Sequence, residues 1–285
     1  MKVLSISGGS TKISGLAAAS ITCMRNGYCP NIIGGISAGA ILALPLAMRK
    51  FDIIEREVLN FNLNSIFEHK PIGKWGGFSF RSILSILKGE RGLTNMNPLK
   101  LKLQELIPYE EWKIWQIETK IKVYVGTVDF VTGKRHMHLL NKLSYWEVID
   151  LIVASASVPL YVGPTSFRGM QLLDGGVRMH NPGNWFLSKM NNISEMISIY
   201  SRPQKIILDD NWKPKNAIQI LDRYVTIANI EISKKDELLE TLLAQKNGTK
   251  LTQIFLPSVM KGLWDTDKQR IKQLWLEGLK AFKNT

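Results

Sequence analysis

Three short stretches carry the residues able to do chemistry: "SGGSTK" at 7–12, "GISAG" at 35–39 and "LLDGG" at 172–176. Ser37, in G-x-S-x-G, has the surroundings of a nucleophile on a sharp strand-to-helix turn, where glycines let strand and helix approach and the hydroxyl stands clear. The same small residues also serve plain helix-on-sheet packing, and a chain of this composition yields roughly 0.1 such matches by chance. The neighbours decide. A serine hydroxyl needs a base, and none of the four histidines, His69, His136, His138 and His180, stands in a setting that marks one. A Ser-Asp-His order on an α/β-hydrolase also requires several strands ahead of the serine, whereas a single strand unit precedes Ser37. Asp174 is the better candidate. An aspartate followed by Gly175 and Gly176 can sit in a tight turn with its carboxylate free, although an ordinary Asp-Gly turn reads the same way. At an ordinary pKa of about 3.9 it is a weak base, so the pair requires a water-shielded contact and strong stabilisation of the oxyanion. Successive backbone N–H groups of Gly8, Gly9 and Ser10 can converge on one oxygen for that purpose.

These residues need elements to hold them. "KVLSIS" reads as a strand and "LAAASITCMRNG" as a helix closed by Asn26 and Gly27, with the glycine loop between. "NIIGGI" followed by "SAGAILALPLAMRK" repeats the unit, its helix apolar on most sides. Repeated strand-loop-helix units predict an α/β fold with parallel strands. Residues 120–140 read as two strands about a "VTGK" turn, and "SYWEVIDLIVASASV" as a helix with Ser144 and Glu147 forming a capping box. Residues 70–102 hold seven Lys/Arg against one Glu, with Trp75, Phe78 and Phe80 interleaved. They read as a loop or lid with one short helix. From 213 onward the pattern is helical, and Ile271, Leu274, Trp275, Gly278, Leu279 and Phe282 share a face suited to packing on the body of the protein.

Composition narrows the partners. A formal charge of +13 over 285 residues attracts anions, with nucleic acid and anionic lipid both candidates. No nucleic-acid motif accompanies the charge, which argues against a nucleic-acid binder. No run of about 18 apolar residues is present, and the first apolar run meets glycine too soon for a signal peptide, so a cytoplasmic chain starting at Met1 is expected. Cys23 and Cys29 cannot build a disulfide framework, and no Cys/His cluster has zinc spacing.

Together, the three motifs resemble the patatin-like phospholipase family. That family pairs a glycine-rich oxyanion loop after the first strand with a G-x-S-x-G serine after the second and a distant aspartate in a D-G-[GA] motif. The order is matched by "GGSTK", "GISAG" and "DGG". "GTVDFVTGK" at 126–134, "ASASVPLYVGP" at 154–164 and the pair Asn181-Pro182 add to the likeness, with Ser157 where alanine is usual. The loop departs in carrying Ser10 at the third glycine and in delaying the next glycine to Gly15.

The resemblance implies a three-layer α/β/α fold, a mostly parallel central sheet and a nucleophile elbow after the second strand. It makes Ser37 and Asp174 a catalytic dyad, Gly8, Gly9 and Ser10 the oxyanion donors, and Lys12, Gly35, Gly39, Gly175 and Gly176 the supporting motif residues. The implied reaction is lipid ester hydrolysis through an acyl-enzyme, with no metal or organic cofactor. Residues 1–200 are then the catalytic domain and 201–285 a mainly helical extension packed on it. Lys74, Trp75, Phe78 and Arg81 become contacts to an anionic, peripheral membrane surface. The altered loop leaves a scaffold without turnover as the alternative.

Overall fold

The computed structural model describes residues 1–73, 77–206, 212–214 and 216–282. An eight-stranded sheet is built from β1 (Lys2–Ile6), β2 (Ile32–Ile36), β3 (Lys122–Asp129), β4 (Arg135–Leu139), β5 (Thr165–Phe167), β6 (Met170–Asp174), β7 (Glu195–Tyr200) and β8 (Lys250–Phe255). Its order is β5-β6-β3-β2-β1-β7-β8, with β4 paired to β3. The run β3-β2-β1-β7-β8 is parallel throughout, and β4, β5 and β6 add the antiparallel edge. This is the mixed α/β fold with a central sheet that the sequence predicts.

Among the described residues ten α-helices surround it: α1 (Ile13–Arg25), α2 (Ala38–Ala47), α3 (Phe51–Leu59), α4 (Phe80–Leu87), α5 (Asn97–Leu106), α6 (Tyr109–Glu118), α7 (Tyr145–Ala156), α8 (Gly183–Lys189), α9 (Ala217–Asn247) and α10 (Lys268–Lys280). Strand alternation divides the core in two. Leu4, Ile6, Ile33, Val123 and Val125 face the larger cluster with α1, α2, α5, α7 and α10, while Val3, Ile32 and Met196 face Phe186, Leu187 and Ala244 of α8 and α9. The capping box is present: the Ser144 hydroxyl accepts from the Glu147 N–H, and the Glu147 carboxylate accepts from the Ser144 N–H at 2.9 Å. On α10, Ile271, Leu274, Trp275 and Gly278 are buried, and a Cβ on Gly278 would stand 2.5 Å from the Gly15 oxygen of α1.

Two expectations change. The chain beyond residue 213 is not helical throughout, because Lys250–Phe255 forms the edge strand β8 beside β7. The segment 70–102 holds two helical stretches rather than one, α4 and the start of α5, since Asn97-Pro98 opens a helix with proline in its first turn. Among the described residues no helix is long and apolar enough to cross a membrane.

Candidate active site

β3 acts as a common ruler for the two chemical residues. Ile36, the last residue of β2, pairs with Gly126, and Asp174, the last residue of β6, pairs with Thr127. Two distant stretches therefore end side by side along one strand. Past Ile36 the chain turns sharply at Ser37, with φ 53° and ψ −117°, into α2. That left-handed backbone is costly for a residue with a Cβ, on the order of 1–3 kcal/mol, and persists only where its surroundings enforce it. Here they do. The Ser37 N–H donates to the Ser155 hydroxyl at 3.0 Å, and that hydroxyl donates to the Gly126 carbonyl at 2.6 Å, tying the elbow to β3. Gly35 and Gly39 allow the closeness: a Cβ on Gly35 would lie 2.1 Å from the Gly39 oxygen, and one on Gly39 would lie 2.4 Å from the Ile6 oxygen.

Asp174 is buried, with the Ser37 hydroxyl near enough to favour its ionised form. Its carboxylate also accepts from the Gly176 N–H at 2.7 Å. Burial pushes its pKa up to about 6, against the pull of the Ser37 hydroxyl and the Gly176 N–H. Gly175 is required by contact: a Cβ there would meet the Gly126 oxygen at 2.6 Å. Behind the turn, Asn181 is fully buried, accepts from the Ser5 hydroxyl at 2.5 Å and donates to the Ile199 carbonyl at 3.2 Å, locking the turn to β1 and β7.

The glycine loop differs from expectation at one donor. The Gly8 N–H is bonded to the His180 carbonyl at 2.8 Å, so it is not free to bind an oxyanion. The Gly8 carbonyl accepts from the Ser7 hydroxyl at 2.9 Å and the Ser201 hydroxyl at 2.5 Å, and a planar trans peptide then fixes the Gly9 N–H in the opposite direction. The N–H groups of Gly9 and Ser10 have no acceptor among the described residues. Ser10 has φ 47°, a position that favours glycine, and its hydroxyl anchors the loop to the Leu263 carbonyl at 2.7 Å. Lys12 is largely buried beside Arg202, and burial together with that neighbouring cation lowers its pKa.

Several of these residues went unmarked by the motifs. Ser155 supports the elbow and Asp236 on α9 accepts from the His180 and Asn181 N–H groups at 2.6 and 3.1 Å. His180 lies against Gly8, whose α-carbon Ser37 also borders, whereas His69 is bonded to the Leu93 carbonyl and His138 to Thr127. Lys74 and Trp75 lie outside the described residues. Phe78 is half-buried against the main core, and Arg81 is exposed. α4 instead exposes apolar groups: its inward residues are Ser82 and Ser85, while Phe80 and Leu87 are 74% and 77% exposed. A cleft of about 820 Å³ runs between α4 and residues 157–165. Ser37 and Asp174 do not line it, but Ser157 does, and its carbonyl accepts the Asp174 N–H at 3.0 Å. No three-residue His, Cys, Asp or Glu group suited to a metal occurs among the described residues.

No curated protein matches the chain. Among solved structures, the crystal structure of VipD from Legionella pneumophila aligns with a TM-score of 0.41 and 12% identity over 99% of this chain and 66% of that one, so the chain spans just under two thirds of its length. The sequence matches the model of the patatin-like phospholipase family over residues 4–183, which takes in the glycine loop, the serine elbow and the aspartate turn in order. With more than half its residues matched across all three motifs, the chain belongs to the patatin-like phospholipase family.

Proposed function

We propose that the chain is a phospholipase A-type lipid acyl hydrolase working through a Ser37–Asp174 dyad. The observation that carries this reading is the strained Ser37 elbow next to a buried Asp174 carboxyl whose ionised form the Ser37 hydroxyl favours. Ser37 Oγ attacks the ester carbonyl carbon while Asp174 takes the hydroxyl proton. The oxyanion is held by the Gly9 and Ser10 N–H groups and by the positive end of α2. Collapse expels the lysolipid alkoxide, which recovers the proton from Asp174. Water, activated by Asp174, then releases the fatty acid from the acyl-enzyme. Fatty-acid release from defined phospholipids and from nitrophenyl esters tests this. The native chain should hydrolyse them and Ser37→Ala should fall to background. Equal release by both overturns the dyad, and no release on any ester leaves a scaffold role.

Contact with an anionic membrane is the second part of the proposal. It is supported by the inverted amphipathicity of α4 and by Arg81, Lys88 and Arg91 around it, within a chain of charge +13. Binding to vesicles containing phosphatidylglycerol should weaken about tenfold or more between roughly 0.05 and 0.5 M NaCl, as surface charges are screened. The double change Phe80→Asp with Leu87→Asp should abolish it at either salt. Salt-independent binding, or full binding by the double variant in a sedimentation assay, rules out this surface.

A further inference from the structure

One group at the site is idle in the two-residue chemistry. His180, whose carbonyl holds the Gly8 N–H at 2.8 Å, also turns its ring Nε2 toward the Gly8 α-carbon. A Cβ built on Gly8 would stand 3.5 Å from His180 Nε2 and 3.4 Å from Ser37 Cβ, so ring and serine both border one gap, the space over the Gly8 α-carbon. The residue is pinned there by its own N–H, which donates to the Asp236 carboxylate at 2.6 Å. Its Nδ1 is sealed from solvent and has no hydrogen-bond partner. Burial, Lys12 and Arg202 push the imidazole down to about 3, which keeps it neutral. A neutral imidazole carries a single N–H. An orphaned N–H inside a protein is rarer than an orphaned acceptor, and this assigns the proton to Nε2, the nitrogen at the gap.

We infer that His180 is a catalytic hydrogen-bond donor, its Nε2–H binding the acyl carbonyl oxygen as that oxygen becomes the oxyanion. The inference rests on the Ser37–Asp174 reading. The logic is substitution: His180 takes one backbone donor out of the loop by bonding Gly8, and supplies a side-chain donor beside the same serine. No proton is transferred. The N–H stays on Nε2 while charge gathers on the oxygen, and the nearby Lys12 and Arg202 favour that charge. Losing one such donor typically costs about 10²–10³ in rate.

The test uses the full chain with a nitrophenyl ester and a trifluoromethyl ketone, whose adduct with the serine carries an oxyanion. His180→Leu should lower kcat about 100-fold or more with KM within about threefold, and weaken the ketone in parallel. His180→Gln, whose amide N–H reaches the Nε2 position, should recover to within about tenfold of the native chain on both readouts. His180→Asn, a polar variant whose amide stops short of that position, should lose activity like His180→Leu and serves if the leucine variant misfolds. Native-like kcat in His180→Leu or His180→Asn overturns the inference, as does a His180→Gln variant no better than leucine, which would make the ring a proton carrier. Ser37→Ala separates the two levels: if it is as active as the native chain, or if no chain turns over, the dyad reading falls and this inference falls with it. If activity depends on Ser37 but not on His180, only the inference falls.

Discussion

Asp174→Asn should lower kcat for ester hydrolysis by about 10²–10⁴-fold and should also make the protein harder to unfold at neutral pH. The loss follows from removing the base that takes the Ser37 proton. The gain follows from the environment that makes the base useful. Burial holds the folded-state pKa near 6, above its ordinary 3.8. Below about pH 3.8 the carboxyl is protonated in both states and costs nothing. As pH rises from 3.8 to 6 the unfolded chain ionises first, so stability falls across that window and stays lower above it. The difference amounts to up to about 3 kcal/mol at pH 7 to 8. Asparagine keeps the shape and an oxygen for the Gly176 N–H while carrying no charge. Calorimetry should therefore show a higher Tm for Asp174→Asn at pH 7.5 and convergence with the native chain near pH 4. The native rate should fall on the acid side with an apparent pKa near 6, the ionisation that makes Asp174 a base. Undiminished kcat in the variant removes Asp174 from the mechanism, and a Tm gain that ignores pH removes the desolvation argument.

What the sequence showed and what it hid divide by range. The capping box at Ser144 and Glu147, the glycine loop and the elbow rest on neighbours a few residues apart, and each was legible. β7 and β8 were not singled out, because "EMISIY" and "KLTQIF" become strands by pairing with β1 and with each other across long stretches of chain. The meeting of Ser37 with Asp174 could be inferred from family order alone, since the register of β2 and β6 along β3 that produces it is invisible in either motif. The bond that occupies the Gly8 N–H is hidden for the same reason: its acceptor, the His180 carbonyl, is 172 residues away in sequence. In α4 the pattern "FRSILSIL" is that of an amphipathic helix whose apolar side would ordinarily be buried, yet Ser82 and Ser85 are the buried residues. Ser82 donates to the Pro71 carbonyl at 3.0 Å, a tertiary bond that orients the helix and leaves Phe80 and Leu87 outside.

The remaining large effect belongs to a residue with no chemistry of its own. Gly39→Ala should destabilise the fold by at least about 3 kcal/mol and take ester hydrolysis with it. The added Cβ would stand 2.4 Å from the Ile6 oxygen and 2.8 Å from the Ser7 oxygen, both backbone atoms at the end of β1 that cannot rotate away. Either α2 lifts off the sheet or β1 shifts. A lift of α2 pulls Ser37 away from Asp174 and withdraws the helix end from the oxyanion, and a shift of β1 moves the glycine loop. Gly77→Ala is the matched control, since among the described residues nothing lies within 4 Å of a Cβ there and its φ is not positive. It should stay within about 0.5 kcal/mol of the native chain. Urea unfolding with a parallel ester assay measures both. If Gly39→Ala unfolds like the native chain, the close approach of β1 and α2 is absent. If it is merely less stable but hydrolyses ester at the native rate, the elbow tolerates displacement, and the strain at Ser37 has no part in aiming the hydroxyl. Stability and rate falling together, with the control unmoved, means that close packing and the aim of the Ser37 hydroxyl are one geometric requirement, met by the same glycine.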